Sequence, residues 1–224
     1  MDSKVVVITG ASGGIGAALA RQLGSEGHRV VLGARREKQL QDVAKDCGPE
    51  AKAVVTDVTV RADVENLKHE AIQAFGQIDV WVNNAGRGIG RRVLELSDDD
   101  LDQMMTANVK SALYGMQAVV PHFLSRGSGH LINVSSFLGR VPLVSYRSAY
   151  NAAKAALNAL TSNLRMDIAV THPNVHVSVV MPGPVATDFA ISALHGTPMA
   201  PPPRMMAVQT ADDVADVIAG LIEQ

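Results

Sequence analysis

Short apolar runs rich in valine and isoleucine recur along the chain, with longer amphipathic stretches between them. Runs that are apolar at almost every position are typical of parallel strands buried on both faces. The predicted strands are Lys4–Thr9, Arg29–Gly33, Lys52–Thr56, Ile78–Asn83, His130–Ser135 and Val175–Met181. The amphipathic stretches predict helices at about 14–27, 37–47, 60–75, 98–125, 147–171 and 211–223.

Regular alternation of strand and helix predicts an α/β fold, in which a doubly wound, Rossmann-like parallel sheet lies between two helical layers. We expect a three-layer α/β/α arrangement with six strands and no seventh strand at the C-terminus. No change in composition marks a second domain, so residues 1–224 are expected to form one. An irregular stretch at about 188–208 contains Pro201–Pro203 and follows the last strand. It is either a substrate lid or a passive loop.

Composition narrows the classes of function. The 224 residues carry a net charge of −2, which gives no general attraction to nucleic acid or to an anionic membrane. No apolar run approaches the ~18 residues that span a bilayer, and no secretory signal is visible. Cys47 is the single cysteine, and His172 and His176, four residues apart, have Pro173 between them, which disfavours a shared helix face. Neither a disulfide nor a metal site is therefore expected. A cytoplasmic protein is the expectation.

A glycine-rich turn stands between the first strand and the first helix. Glycines permit a tight turn and a close approach of the backbone to a phosphate, and a helix N-terminus offers free N–H groups. The position within a strand–helix unit predicts a dinucleotide site. Its residues are Gly10, Ser12, Gly13, Gly14, Ile15 and Gly16.

Tyr150 and Lys154 are one helical turn apart, and Ser135 and Ser136 close the fifth strand. A tyrosine with its usual pKa of about 10 is a poor proton-transfer group at neutral pH. A lysine charge about 4 Å away, at an effective dielectric of about 20, would lower that pKa by roughly three units. Lys154 is therefore expected to bring Tyr150 toward the working pH. An exposed Tyr/Lys pair on a solvated helix face is the alternative.

In order along the chain, these motifs resemble the short-chain dehydrogenase/reductase family. The resemblance rests on TGxxxGxG at Thr9–Gly16, NNAG at Asn83–Gly86, NVSS at Asn133–Ser136, YxxxK at Tyr150–Lys154, and PGxxxT from Pro182 to Thr187. It implies an oxidoreductase that transfers a hydride between a nicotinamide cofactor and a carbonyl or alcohol. The implied catalytic residues are Asn108, Ser136, Tyr150 and Lys154.

Each catalytic residue has a role that the resemblance implies. Tyr150 would be the general acid or base, and Ser136 would hydrogen-bond the reacting oxygen. Ser135 competes for that role, although the family uses the second serine. Lys154 would tune Tyr150 and bind the nicotinamide ribose. Asn108 would hold a water of a proton relay, or be a buried residue that kinks its helix.

The end of the second strand bears on the choice between NAD and NADP. Ala34 stands where NAD enzymes of the family place an aspartate, and Arg35 stands where NADP enzymes place a phosphate-binding arginine. Arg35 and Arg36 therefore favour NADP(H), unless they are merely a solvated helix start. Glu37 is a competing ribose ligand. Further cofactor residues implied by the resemblance are Asp57 (alternatively a helix N-cap), Val58, Asn84, Ala85, Gly86, Pro182, Gly183, Val185 and Thr187, together with Tyr150 and Lys154.

The partners are less sharply predicted. The substrate is expected to be a small carbonyl or alcohol that contacts Ser136, Leu138, Tyr150, Pro184 and Phe189. Arg87, Arg91 and Arg92 would meet an anionic group or face water. The resemblance favours a homodimer through helices 98–125 and 147–171, with a tetramer as the other possibility. A non-catalytic NADP sensor on the same fold is the main alternative function. A nucleotide-sugar epimerase or dehydratase would need a longer substrate region.

Overall fold

The computed structural model describes residues 3–195 and 207–223. Six parallel strands form one sheet in the order β3-β2-β1-β4-β5-β6. Their bounds are β1 Val5–Thr9, β2 Arg29–Ala34, β3 Ala51–Val55, β4 Val80–Asn83, β5 Gly129–Val134 and β6 Val175–Val180. The Rossmann-like α/β prediction is thus confirmed, and the predicted strand ends are within two residues of these.

The helices cover both faces of the sheet. Their bounds are α1 Gly14–Ser25, α2 Glu37–Asp46, α3 Arg61–Phe75, α4 Asp98–Met105, α5 Ser111–Arg126, α6 Ser148–Ala169 and α7 Ala211–Ile222. One apolar core joins α1, α2 and α7 to one face, and a second core joins α3, α5 and α6 to the other. These are the two outer layers of the predicted α/β/α arrangement.

The strands differ in burial according to their place in the sheet. Every residue of β1 and β4 is buried, as expected for central parallel strands. The edge strands are less covered, because Val55 of β3 and His176 of β6 are exposed. The prediction of strands buried on both faces therefore holds for the centre of the sheet and is wrong for its edges, which have a neighbour on one side only.

The single helix predicted at 98–125 is wrong in one respect. The structure has α4, then a π-helical turn at Thr106–Lys110, then α5. A π-helical turn adds a residue to the helical repeat and is frequently found at functional sites. Asn108 lies within it and is 1% exposed.

The sheet order reverses between β1 and β4, since the chain moves outward from β1 to β3 and then returns to the other side. In open α/β sheets, ligands bind beyond the carboxyl ends of the strands at such a reversal. The glycine turn follows β1 and the Asn83–Gly86 segment follows β4. The topology thus brings these two motifs together.

Candidate functional site

The glycine turn has the backbone that its sequence predicts. Gly10 and Gly14 have φ angles of 69° and 55°, which favour glycine over residues with a side chain. The Gly10 N–H donates to the Gly33 carbonyl at 2.8 Å, which ties the turn to β2. Helix α1 starts at Gly14 with no side-chain cap at Gly13. Its first N–H groups therefore point into the crevice without a side-chain partner, as a phosphate site needs.

The segment after β4 is fastened to the glycine turn. The Thr9 hydroxyl accepts the N–H groups of Asn84 and Ala85 at 3.0 and 3.1 Å. The Asn84 amide donates to the Thr9 carbonyl at 2.9 Å. A Cβ on Gly10 would stand 2.9 Å from Cα of Ala85. The Asn84 side chain therefore braces the turn, and the backbone of Asn84–Gly86 forms the neighbouring wall of the crevice.

Asn108 is held by backbone groups on both of its polar atoms. Its Oδ1 accepts the Arg87 N–H at 3.1 Å, and its Nδ2 donates to the carbonyls of Arg87 and Met104 at 2.9 and 3.0 Å. A Cβ on Gly86 would lie 2.9 Å from Oδ1 of Asn108 and 3.5 Å from Nζ of Lys154. Asn108, Gly86 and Lys154 therefore meet at one point, where the π-helical turn presents its backbone.

The two serines after β5 point in different directions. Ser135 is buried and donates to the Lys154 carbonyl at 3.3 Å. Ser136 accepts the Leu138 N–H at 3.2 Å, and its hydroxyl lies near enough to the Tyr150 hydroxyl to act to lower its pKa. The next turn packs directly on α6, because a Cβ on Gly139 would stand 2.8 Å from Cβ of Lys154. The structure thus brings Ser136, and not Ser135, to Tyr150.

Tyr150 and Lys154 lie on the buried face of α6, at 8% and 3% exposure. The Lys154 ammonium donates to the Val134 carbonyl at 3.0 Å and lies 5.7 Å from the centre of the Tyr150 ring. This arrangement excludes the alternative of an exposed pair on a solvated helix face. It places a phenol, an ammonium and the Ser136 hydroxyl together at the carboxyl end of β5.

Burial decides the protonation of this pair. It raises the pKa of Tyr150 to about 12, although the nearby Ser136 hydroxyl and the Arg147 charge act to lower it. Burial also lowers the pKa of Lys154 to about 8. The expectation that Lys154 brings the pKa of Tyr150 toward neutrality is therefore wrong for this structure. The lysine charge is directed at the Val134 carbonyl, and loss of water destabilises the charged form of both groups.

Two exposed arginines stand at the end of β2. Arg36 crosses the glycine turn and donates from Nε to the Ser12 hydroxyl and from Nη2 to the Ser12 carbonyl, each at 3.1 Å. The charge of Arg35 acts on Asp57 after β3. Ala34 is buried and offers no acid at the strand end. Glu37 accepts a hydrogen bond from Gln41 on its own helix, at 3.1 Å.

Asp57 closes a turn and does not cap the following helix. Its Oδ1 accepts the Thr59 N–H at 2.9 Å and the Thr59 hydroxyl at 2.7 Å. Helix α3 has Val60 as its N-cap, with no side-chain cap bond, so the N-cap alternative is wrong. Burial acts to raise the pKa of Asp57, but the Thr59 hydrogen bonds and the Arg35 charge outweigh it and hold the pKa below its usual value. Val58 follows in the same turn.

The segment after β6 reaches back to the glycine turn. Gln209 accepts the Ala186 N–H at 2.9 Å, and its side chain accepts the Gly183 N–H at 3.1 Å. A Cβ on Gly14 would lie 3.4 Å from the Thr187 methyl group. An open cavity of about 330 Å³ lies here, beside the glycine turn and away from Tyr150. Its lining includes Gly14, Ala18, Arg21, Thr187, Asp188 and Asp212. Pro182 is buried beside Gly183, and Val185 bridges to Gln209.

On the other side of Tyr150, an apolar cluster lines the open end of the site. The Phe189 ring lies 5.6 Å from the Tyr150 ring, and Leu138 packs in the same cluster. Pro184 instead accepts the Gln209 N–H at 2.9 Å on the neighbouring segment. Within residues 188–195 of the predicted lid, Nε2 of His195 is 2.5 Å from Oδ1 of the buried Asp100. Residues 196–206, Met199 among them, lie outside the described residues.

Comparison with known proteins agrees with this geometry. The short chain dehydrogenase family model matches residues 4–197. The chain belongs to this family. An oxidoreductase of Staphylococcus epidermidis, named as uncharacterized, is 36% identical over 214 residues, which cover 96% of this chain and 90% of the relative.

Two solved structures of the family share the whole fold. The alcohol dehydrogenase of Thermococcus sibiricus, complexed with 5-hydroxy-NADP, is 29% identical with a TM-score of 0.86, covering 100% of this chain and 92% of that chain. A short chain dehydrogenase/reductase of Burkholderia phymatum, complexed with NAD, is 30% identical with a TM-score of 0.88, covering 99% and 86%. The chain is therefore an oxidoreductase of the short-chain dehydrogenase/reductase family, whose neighbours bind nicotinamide dinucleotides.

Sequence reasoning missed several residues that build this family site. A buried chain of hydrogen bonds runs from Trp81 to Asn83 at 2.8 Å, from Asn83 to Asn133 at 2.9 Å, and from Asn133 to Thr161 at 2.9 Å. The two asparagines could have been paired, because Asn83 ends one predicted strand, Asn133 lies two residues before the end of the next, and these strands are neighbours. Thr161 carries no such signal.

Arg147 was missed as well. It lies three residues before Tyr150 and is close enough for its charge to lower the pKa of the phenol. Its spacing from Tyr150 along a helix was the available signal. Among the described residues, no group of three or more His, Cys, Asp or Glu side chains could hold a metal, and no helix is long and apolar enough to cross a membrane.

Proposed function

We propose that this chain is an NADP(H)-dependent oxidoreductase that transfers a hydride between the nicotinamide and a carbonyl or alcohol, with Tyr150 as the general acid/base. One observation carries the proposal: Tyr150, Ser136, Lys154 and Asn108 converge beside Gly86, at the edge of the crevice that the glycine turn opens. The groups come from three separate parts of the chain, since only Tyr150 and Lys154 share a helix, and a purely structural role would not require this convergence.

The crevice fits a nicotinamide dinucleotide. A pyrophosphate would suit the start of α1, which has no side-chain cap. It would also suit the glycine turn, where Gly14 leaves room beside Thr187. A bound dinucleotide would supply or accept the hydride. The residues that would hold it are those of the glycine turn, the end of β2, Asp57 and Val58, Asn84–Gly86, the segment from Pro182 to Thr187, and Tyr150 with Lys154.

The protonation of Tyr150 suits donation to a carbonyl substrate. With a pKa raised to about 12 by burial, the phenol carries its proton at neutral pH. It would give this proton to the oxygen of the substrate carbonyl as that oxygen becomes an alkoxide. The Ser136 hydroxyl, which lies near the phenol, would donate a second hydrogen bond to the same oxygen. Because its pKa is about 8, Lys154 is positively charged at neutral pH and would stabilise the tyrosinate that results.

Asn108 supports this proton transfer through its backbone. Both polar atoms of its side chain are engaged by Arg87 and Met104. A water of a proton relay toward Lys154 would therefore be held by the Asn108 carbonyl in the π-helical turn. Asn108 would thus both distort its helix and take part in the proton relay.

The preference for NADP rests on the adenosine end of the crevice. Arg36 lies across Ser12, Arg35 acts on Asp57, and buried Ala34 leaves no acid to repel a phosphate. Two guanidinium groups at this point favour a 2′-phosphate over a bare ribose. The solved relatives bind either form, so this preference belongs to the residues of this chain.

The proposal extends to the substrate lid, the oligomeric state and the location of the protein. We place a substrate lid at about 188–208, whose described part packs Phe189 on Tyr150 and pairs Leu194 with Ile89. We propose a homodimer through α5 and α6, because α6 presents the small residues Ala152 and Ala155 outward. The mass in solution, measured by light scattering, tests the dimer.

We place the protein in the cytoplasm and expect it to act without nucleic acid or a membrane.

A carbonyl panel tests the proposed reaction. The protein is incubated with aldehydes, ketones, oxo acids, steroids and sugars, together with NADPH or NADH that carries deuterium at C4 of the nicotinamide. The masses of the products are measured by mass spectrometry. We expect at least one class to gain one deuterium on carbon, more readily from NADPH. Tight NADPH binding without transfer to any class would instead support the non-catalytic sensor.

A further inference from the structure

Arg147 stands at the open end of the site, beside the reacting phenol. It is the N-cap residue of α6, and its Nη1 donates to the Ile89 carbonyl at 3.2 Å. A Cβ on Gly88 would lie 2.6 Å from Nη1 of Arg147 and 2.9 Å from the Phe189 ring. Phe189 in turn lies against Tyr150. The Arg147 guanidinium and the Phe189 ring therefore both pack on Gly88, and Phe189 joins them to Tyr150.

The charge of Arg147 has no acidic partner in residues 3–195 and 207–223. Of these residues, no carboxylate oxygen lies within 4.0 Å of its guanidinium. Asp100 is occupied by His195, and Asp188 lines the cavity beside Gly14 and Arg21. The side chain is partly buried, with one hydrogen bond to Ile89. A guanidinium has five N–H donors, so several of them remain for a ligand.

Arg147 differs from the other arginines of this region in its effect on Tyr150. Arg92 is exposed, the backbone of Arg87 hydrogen-bonds Asn108, and the partly buried Arg91 pairs with Arg147 through its backbone. Arg147 alone among them contributes a charge that acts on Tyr150. Because Phe189 contacts the Tyr150 ring and Gly88 beside Arg147, a ligand group bound by Arg147 would lie on the Tyr150 side of the site.

We propose that Arg147 binds a carboxylate of the substrate, so that the substrates are short oxo acids and the corresponding hydroxy acids. This rests on the proposed function and names its substrate class. A guanidinium fork matches a planar carboxylate through paired hydrogen bonds. The Phe189 ring suits a short apolar chain between the carboxylate and the reacting carbonyl.

The test compares an oxo acid with its uncharged ester. Acetoacetate and methyl acetoacetate carry the same ketone and differ in the charge at the far end. With NADPH, the wild-type protein is expected to reduce the acid with a kcat/KM at least about 10-fold above that of the ester. Arg147→Met should lower kcat/KM for the acid by about 10- to 100-fold, mainly through KM, and change that of the ester by less than about 3-fold. The range follows from the ~1.5–3 kcal/mol of a hydrogen bond to a charged group.

Two further variants control for folding and for general charge. Arg147→Lys keeps the charge without the fork and should retain part of the preference for the acid. Arg140→Met removes an exposed arginine from the neighbouring turn and should leave the acid/ester ratio unchanged. Circular dichroism and the melting temperature check that each variant folds. If Arg147→Met does not fold, the acid/ester ratio of Arg147→Lys decides the test.

The outcomes distinguish this inference from the proposed function. If the wild-type protein reduces neutral ketones but shows no preference for the acid, the carboxylate site is contradicted while the reaction stands. If Arg147→Met slows acid and ester equally and shifts both pH profiles, Arg147 acts through Tyr150 and the inference is again overturned. If neither substrate nor any neutral ketone is reduced, the proposed function itself has failed.

Discussion

At the scale of single residues, burial outweighs the pairwise charge effect that the spacing of Tyr150 and Lys154 suggests. Lys154 keeps its charge at a cost, because its environment lowers its pKa to about 8 from an ordinary value of 10.5. The Val134 carbonyl accepts its hydrogen bond but carries no formal charge. Such a cost is common at catalytic sites, where stability is exchanged for a reactive arrangement.

This cost gives a prediction for the pH dependence of stability. The unfolded chain binds the Lys154 proton up to about pH 10.5, and the folded chain loses it near pH 8. The penalty is therefore fully present below pH 8 and is relieved as the pH rises toward 10.5. Relative to Lys154→Met, the wild-type free energy of unfolding should increase by about 2 kcal/mol between pH 7.5 and 9.5.

Urea unfolding at the two pH values measures this difference. Both lie below the window from pH 10 to 12, where the raised pKa of Tyr150 makes stability fall with pH. Lys45→Met, which removes an exposed lysine, is the control and should follow the wild-type profile. Parallel profiles for Lys154→Met and the wild type would show that burial does not depress the pKa of Lys154.

A second residue-scale prediction concerns the cofactor. Arg35→Asp places an acid at the end of β2 and should weaken NADPH binding by about 10- to 100-fold, while NADH binding weakens little or improves. The size follows from losing a hydrogen bond to a charged group, worth ~1.5–3 kcal/mol. Fluorescence titration with both nucleotides measures it, and Lys38→Asp on the exposed face of α2 controls for charge alone. An unchanged NADPH/NADH ratio in Arg35→Asp would remove the basis for NADP preference.

At the scale of elements, the periodic patterns predicted most of what is present. Strands and helices were placed because buried parallel strands and amphipathic helices have distinct repeats. The π-helical turn at Thr106–Lys110 was not predicted, since it leaves the pattern of apolar positions on either side intact. It is stabilised by long-range hydrogen bonds between Asn108 and Arg87, and local sequence patterns carry no information on such contacts.

The packing of α5 on β4 gives a prediction at this scale. A Cβ on Gly115 would overlap Oδ1 of Asn83 and lie 2.7 Å from Nε1 of Trp81, within the buried network behind the site. Gly115→Ala should therefore destabilise the fold by about 1–3 kcal/mol. Gly220→Ala, in α7 where a Cβ meets nothing within 4 Å, should stabilise it by about 0.5–1 kcal/mol. Urea unfolding of both variants measures the contrast, and equal effects would show that the network tolerates a methyl group.

At the scale of the whole molecule, the sheet order makes one site from distant segments. Thr9 ends β1, Asn83 ends β4, and Ser136 follows β5, so strand ends far apart in sequence become neighbours in space. The motifs, taken in order, were sufficient to predict this arrangement and the residues at its centre. The direction of the Arg147 guanidinium, the Thr161 hydrogen bond and the pKa of Tyr150 depend on side-chain packing, which the sequence alone does not specify.

The proposed mechanism requires Tyr150 to act in proton transfer and not only in binding. Its most direct test compares wild type with Tyr150→Phe, using one accepted carbonyl substrate and NADPH. Removing the hydroxyl should lower kcat by at least about 100-fold, as expected for loss of a general acid. NADPH at about 100 times its Kd should still stabilise the variant by about 2.7 kcal/mol, as for the wild type. Near-normal turnover in Tyr150→Phe would contradict the proposed mechanism.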